Sequence, residues 1–246
     1  MKIECVEGIV LHDTNYSESS KILNVITKEL GLISLISKGC RNMKSKLGAT
    51  SRKLIYGKFH IYYKEKGLST LICVDVINSF NNICNDLKKI TYAGSALDLV
   101  NQIAKQSNDT SLFDLLRDIL VKMEEGLDAS ILNSILELKA LDFLGVSPSI
   151  DGCSLCGNNK NIVTLDSHAG GYICKDCYQN EVVTSSKTIK LIRLFYYVDI
   201  ANITKLDISK ESVQEINLFL DDYYERYTGI YLKSKSFLKS IEKIST

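Results

Sequence analysis

The chain has 246 residues, 45% of them hydrophobic and 24% charged, with 30 Lys and Arg against 29 Asp and Glu. That composition supplies enough apolar side chain for a sizeable core and excludes a disordered polymer, while a net charge of +1 by itself points to no partner. Met1-Lys2-Ile3-Glu4-Cys5 has no apolar leader pattern, and no run approaches the roughly 18 apolar residues of a membrane span, so the cytoplasm is the expected compartment and its eight cysteines are expected to stay reduced.

The first 80 residues read as strands. Ile3 to His12 opens the series, and the apolar runs Lys21 to Lys28 and Leu32 to Lys38 flank Glu29-Leu30-Gly31, a hairpin signal with a glycine available for positive φ. From Leu54 to Lys64 the residues alternate. Ile55, Gly57, Phe59, Ile61 and Tyr63 fall on one face, and Leu54, Tyr56, Lys58, His60, Tyr62 and Lys64 on the other. Gly57 inside that strand predicts a bend or bulge. After Lys66-Gly67, the residues Thr70, Ile72, Val74 and Val76 repeat the period of two. About five strands in this length suit a small barrel of the oligonucleotide-binding (OB) type.

Charge is unevenly placed in this part. Residues 1–80 hold twelve Lys or Arg and seven acids, and the stretch between Glu29 and Glu65 has eight basic residues and no acid: Lys38, Arg41, Lys44, Lys46, Arg52, Lys53, Lys58 and Lys64. A field of one sign attracts a polyanion, and nucleic acid is the commonest one. The tract from Lys38 to Lys46 with Arg52 and Lys53 reads as a phosphate-contacting loop; a solvated loop without a partner is the bland alternative. On the face of Tyr56, Lys58, His60, Tyr62 and Lys64, rings that stack on bases alternate with ammonium groups that follow phosphates. The competing reading packs Tyr56 and Tyr62 against the first helix.

From Asp86 the period becomes helical. Leu87, Ile90, Gly94, Leu97 and Ile103 mark one helix, Leu112, Leu115, Leu116, Ile119 and Met123 a second, and Ile131, Ile135, Leu138 and Leu141 a third. Asp109 and Asp128 are expected caps of the latter two, and the third ends before Gly145 with Pro148 beyond. Two more helices are expected near Ser186 to Ile200 and near Glu211 to Tyr227, the last capped by Ser209.

Between them, Cys153-Ser-Leu-Cys156, seventeen residues, then Cys174-Lys-Asp-Cys177 matches the zinc spacing C-x₂-C-x₁₅₋₂₀-C-x₂-C. Two such turns aim four thiolates at one point, the tetrahedral set zinc takes, and leave no open position for catalysis; one structural Zn²⁺ is expected. The alternative is a set of reduced or redox thiols. His168 is expected as a loop residue, and Cys5, Cys40, Cys73 and Cys84 as small buried hydrophobes. The three histidines form no recognisable triad, and neither a Walker A nor a dinucleotide-binding glycine pattern is present, so no enzyme is expected.

Taken in order, Lys38-Gly39-x-Arg41 with Lys44-Ser45, then Glu137-Leu138-Lys139 through Leu144-Gly145 into Cys153-x-x-Cys156-Gly157, then Gly170-Gly171-x-x-Cys174-x-x-Cys177, and Leu232-Lys233-Ser234-Lys235-Ser236-Phe237-Leu238, the chain resembles the RecO family of bacterial recombination mediators nearly end to end. Cys40 and Met43 depart from the family's pattern, where Ala and Pro are expected. The resemblance implies an α+β protein: an OB-fold DNA-binding domain over 1–80, an α-helical domain over 81–246, and a zinc module inserted at 150–180. It implies binding of single- and double-stranded DNA, annealing of complementary strands, and work with RecR that lets RecA replace single-strand-binding protein on DNA. It also implies capture of that protein's acidic C-terminal tail, for which Lys187, Lys190, Arg193, Lys233 and Lys235 are candidates. Two rival readings stand beside it: a zinc-bearing RNA-binding or ribosome-associated module, told apart by strand preference, and an enzyme with a site between helices, told apart by a pocket of convergent titratable groups.

Overall fold

The computed structural model describes residues 2–107 and 109–230. Five strands come first: β1 Lys2–Tyr16, β2 Ser20–Thr27, β3 Gly31–Ser37, β4 Tyr56–Tyr63 and β5 Ser69–Asn78. They close into a barrel in the order β1-β2-β3-β5-β4, with β4 sealed onto β1. Every pairing is antiparallel except that of β3 with β5. The β2–β3 hairpin turns where the glycine predicted it. Gly31 has φ +65°, and the Thr27 hydroxyl fastens the turn by donating to Gly31 O at 2.8 Å and accepting from Leu30 N at 3.0 Å.

Alternation sorts the barrel's side chains. Val6, Val10, Leu23, Val25, Leu35, Ile55, Phe59, Ile61 and Leu71 fill the interior. Gly57 sits opposite Gly8 across the β1–β4 seam, beside a register shift, and a Cβ placed on it would lie 2.5 Å from the Asp75 carbonyl. The expected bulge is therefore present, and it occurs where two backbones press together. The period of two expected along β5 does not hold. A second register shift, between His60 and Ile61 of the facing strand, changes the phase at Ile72, so Leu71 opposite Ile61 and Val74 opposite Phe59 both turn to the barrel interior while Ile72 is exposed.

Four helices follow: α1 Asn81–Cys84, α2 Leu87–Ile103, α3 Ser111–Glu124 and α4 Ala129–Phe143. Asp86 caps α2 and Asp128 caps α4 through their side chains. Asp109 lies one residue before the observed N-cap of α3, Thr110, yet still accepts from Ser111 N at 2.9 Å. Gly145, φ +70°, ends α4 with Gly145 N–H donating to Asp142 O and Val146 N–H to Leu141 O. Almost every face of α4 is apolar and buried, which makes it the central helix.

A small sheet follows, β6 Ser149–Cys153, β7 Ile162–Asp166 and β8 Gly171–Cys174, in the order β6-β8-β7. Then come α5 Ser186–Tyr197, a 3₁₀ turn at Ile200–Asn202, and α6 Lys210–Tyr227, capped by Ser209 as expected. The outward side chains Ile9, Leu11, Ile26, Leu54 and Tyr56 of the barrel join the helices in one continuous core. Among the described residues no helix is long and apolar enough to cross a membrane.

Candidate nucleic-acid interface and metal centre

The connection from β3 to β4, residues 38–55, carries most of the basic tract. Lys38, Arg41, Lys44, Lys46, Arg52 and Lys53 are all exposed on it, and the loop contains no acid. Its base is held firmly. Ser37 and Ser51 hydroxyls meet at 2.7 Å, Arg41 N–H donates to Ser19 O at 2.9 Å, and Gly39 N–H donates to Ser20 Oγ at 3.3 Å. Lys21, which in the sequence is one more positive charge, is an internal tie: its Nζ donates to Asp13 at 2.7 Å and to Ser51 O at 3.1 Å. Buried Cys40 anchors the stem while Met43 stands fully exposed at the tip. The loop therefore presents its cations on a fixed frame, at low ordering cost for a bound polyanion.

Lys58 and Lys64 are placed apart from that loop, Lys58 on the outer wall of β4 and Lys64 exposed just past its end. Lys58 is exposed in a cross-strand row between Glu7 and Asp75, which offset its charge. His60 pairs with Asp75 at 2.7 Å. The two tyrosines of that face part company. Tyr62 is exposed, whereas Tyr56 is buried 6.3 Å from both Phe80 and Phe113, with its hydroxyl on Glu7. Burial, and then the Glu7 hydrogen bond, push the Tyr56 hydroxyl up to about 12. Tyr56 therefore belongs to the core and is removed from any stacking surface.

The four zinc-spaced cysteines converge. Cys153 ends β6 and Cys174 ends β8, and because these strands are neighbours their ends deliver two thiols side by side. Each following turn folds a second thiol back. Gly157 N–H donates to Cys153 O at 2.8 Å and Cys177 N–H to Cys174 O at 3.1 Å, and Gly157 takes φ +75°. The four sulfurs lie within 4.8 Å of one another, with Cys156 and Cys174 at 3.6 Å. A disulfide needs about 2.05 Å. A tetrahedral site with bonds of about 2.3 Å spaces its sulfurs about 3.8 Å apart, which this donor set fits.

Burial pushes the Cys153 thiol up, but backbone hydrogen bonds from Cys174, Leu155 and Cys156 outweigh it and hold it at about 6. Cys177 is pushed up to about 12, chiefly by its hydrogen bond with Cys156 and then by burial. Four thiols this close oppose one another's charge, so the set becomes fully anionic only around a cation.

His168 lies in the β7–β8 turn as expected and contacts Arg226 of α6. Cys84 is half-buried, but Cys5 and Cys73 are exposed, contrary to expectation, because both fall on outward positions of the β1-β4-β5 wall opposite His60. Of the candidate tail-binding cations, Lys187 and Lys190 are exposed on α5, while Arg193 is engaged by Asp151 at 3.0 Å and lies over the Tyr197 ring. Lys233 and Lys235 lie outside the described residues.

Two family profiles match the chain, described as Recombination protein O N terminal over residues 1–80 and Recombination protein O C terminal over residues 84–236. Proteins named DNA repair protein RecO are similar to it along nearly their whole length. That of Bacillus pumilus is 34% identical over 242 residues, covering 97% of this chain and 94% of the relative. That of Halalkalibacterium halodurans is 32% identical over 242 residues, covering 97% and 95%. That of Listeria monocytogenes serotype 4b is 31% identical over 245 residues, covering 98% and 96%.

Proposed function

The chain belongs to the RecO family of DNA repair proteins, and on that premise we propose that it acts as a non-enzymatic mediator of recombination that binds DNA through the loop 38–54 and anneals complementary strands. One observation carries the reading: six exposed cations and no acid on a loop whose base is fastened to the barrel. Two strands repel through their phosphates. A fixed cationic rim that holds both lowers this repulsion and leaves base edges free to pair, so annealing needs no catalytic group.

Other parts take their roles from the same premise. The barrel's strand order and its single parallel pair support an OB-type reading, and the proposed units of function are an OB-fold domain over 1–80, a helical domain over 81–246 and a zinc module over 150–180. Cys153, Cys156, Cys174 and Cys177 would hold one Zn²⁺, which cross-links the two turns and takes no part in chemistry. Lys58 and Lys64 extend the DNA contact along the outer wall as secondary sites. The partners are single- and double-stranded DNA, RecR, and the acidic tail of single-strand-binding protein, with RecA loading as the outcome. The place of work is the cytoplasm, at the nucleoid.

The test is annealing of two labelled complementary oligonucleotides over a salt series, bare and coated with single-strand-binding protein. We expect acceleration that persists on coated strands and fades with salt. Reversing Lys44, Lys46 and Arg52 together to Glu is expected to flatten the salt dependence of single-strand binding by roughly 2 in log–log slope, at about 0.7 per phosphate contact. Unchanged affinity of that variant at low salt removes the loop from the mechanism. Tighter binding of RNA without annealing assigns the chain to RNA instead.

A further inference from the structure

Beside the loop, a groove of about 480 Å³ runs between the barrel and α2. Its barrel wall is Leu11, His12 and Lys53, and its helical wall includes Leu87, Ile90 and Gly94. We propose that this groove seats one unstacked nucleotide of single-stranded DNA led into it by the basic loop, an inference that rests on the loop's reading as a DNA contact.

Continuity is the first reason. Lys53 belongs to both the loop and the groove, so a strand whose phosphates follow Lys44, Lys46 and Arg52 arrives at the groove mouth with Lys53 ready for the next phosphate. The volume lies in the range of about 300–1,000 Å³ typical of small-ligand sites.

Gly94 is the second and independent reason. It sits in the middle of α2, where glycine is disfavoured relative to alanine. Its φ is not positive, and a Cβ built on it would meet no atom within 4 Å. Neither backbone conformation nor crowding within the protein calls for glycine here. What the missing side chain does is keep the floor of the groove open for something outside the chain.

The lining suits a base. Leu87 and Ile90 offer exposed apolar surface above buried Leu11, and the exposed His12 ring stands at the edge, where an imidazole stacks on a nucleobase. One and two turns further along α2, Asp98 supplies acceptors and Asn101 a side-chain amide. Asn24 Nδ2 donates to Asn101 Oδ1 at 3.4 Å, which orients that amide and leaves its NH₂ to donate. Donors and acceptors together match a base edge, whereas Asp98 opposes an acidic peptide.

The experiment uses the full chain with a single-stranded oligonucleotide carrying one 2-aminopurine, whose emission rises when it leaves the stack, and a duplex of equal length. Wild type is expected to raise the emission. Gly94→Leu, which fills the groove with a better helix former, is expected to abolish the rise and weaken single-strand binding about tenfold or more, with duplex affinity and salt slope unchanged. Ile90→Glu, at an exposed position, is expected to act in the same direction and guards against a folding defect in the first variant. Wild-type single-strand binding and emission by either folded variant overturns the groove. If instead the Lys44, Lys46 and Arg52 reversal leaves affinity intact while Gly94→Leu weakens it, the loop reading fails and the groove stands.

Discussion

Tyr56 and Gly57 are adjacent and have opposite duties. Tyr56 turns outward from the barrel and is covered by Phe80 and Phe113, while Gly57 turns inward at the seam with Gly8, where the Asp75 carbonyl leaves no room for a Cβ. We expect Gly57→Ala to lower stability by about 1–3 kcal/mol, since the obstructing atom is backbone and the strands must part to admit a methyl group. Urea denaturation checks it, and an unchanged midpoint would show that the seam yields freely. The bend at Gly57 was legible from its place in an alternating strand. The burial of Tyr56 was not: alternation divides residues between two faces and says nothing of what covers the outer one, so stacking on DNA and packing on a helix fitted the pattern equally. Likewise, nothing in residue type distinguishes Lys21, which ties the loop to Asp13, from the cations it supports.

Among the elements, the small sheet β6-β8-β7 depends most on something outside its own packing. Its strands are four or five residues long, too short for independent stability, and it rests on α5 and α6 through Tyr172, whose hydroxyl donates to Ile189 O, and through His168 against Arg226. A metal on the four cysteines would pin together the C-terminal ends of the parallel strands β6 and β8 and the turns that follow them. Cys153→Ser is therefore expected to cost roughly 2–5 kcal/mol, the range for losing a covalent staple. Thermal melting together with a zinc assay tests this, and a zinc-free variant that melts like wild type would deny the metal a structural role. The cysteine spacing made the site legible residue by residue. The three strands were not, because β6 and β8 pair through a distorted register and carry no alternation of their own.

At the scale of the whole molecule, the sequence separates cleanly at residue 80, from period two to period 3.6, and the family profiles divide there too. The packing does not divide there. Ile9, Leu11, Ile26, Leu54 and Tyr56 of the barrel lie in the same core as α2, α3 and α4. Phe113→Ala, at a fully buried position against Tyr56, is expected to cost about 3–5 kcal/mol. Tyrosine fluorescence and helical circular dichroism should still report one transition. Two separated transitions would show that barrel and helices fold apart.

That shared wall also governs how the protein handles load. Cut free at Asn78, the barrel would carry its outward Ile9, Leu11, Ile26, Leu54 and Tyr56 as a bare adhesive strip, so the blade cannot be used without its haft. On the proposed reading of residues 38–54, a partner that grasped α5 or α6 would pull on helices packed into the same core as the barrel wall, so its tug would reach the DNA through side-chain packing and not through a linker.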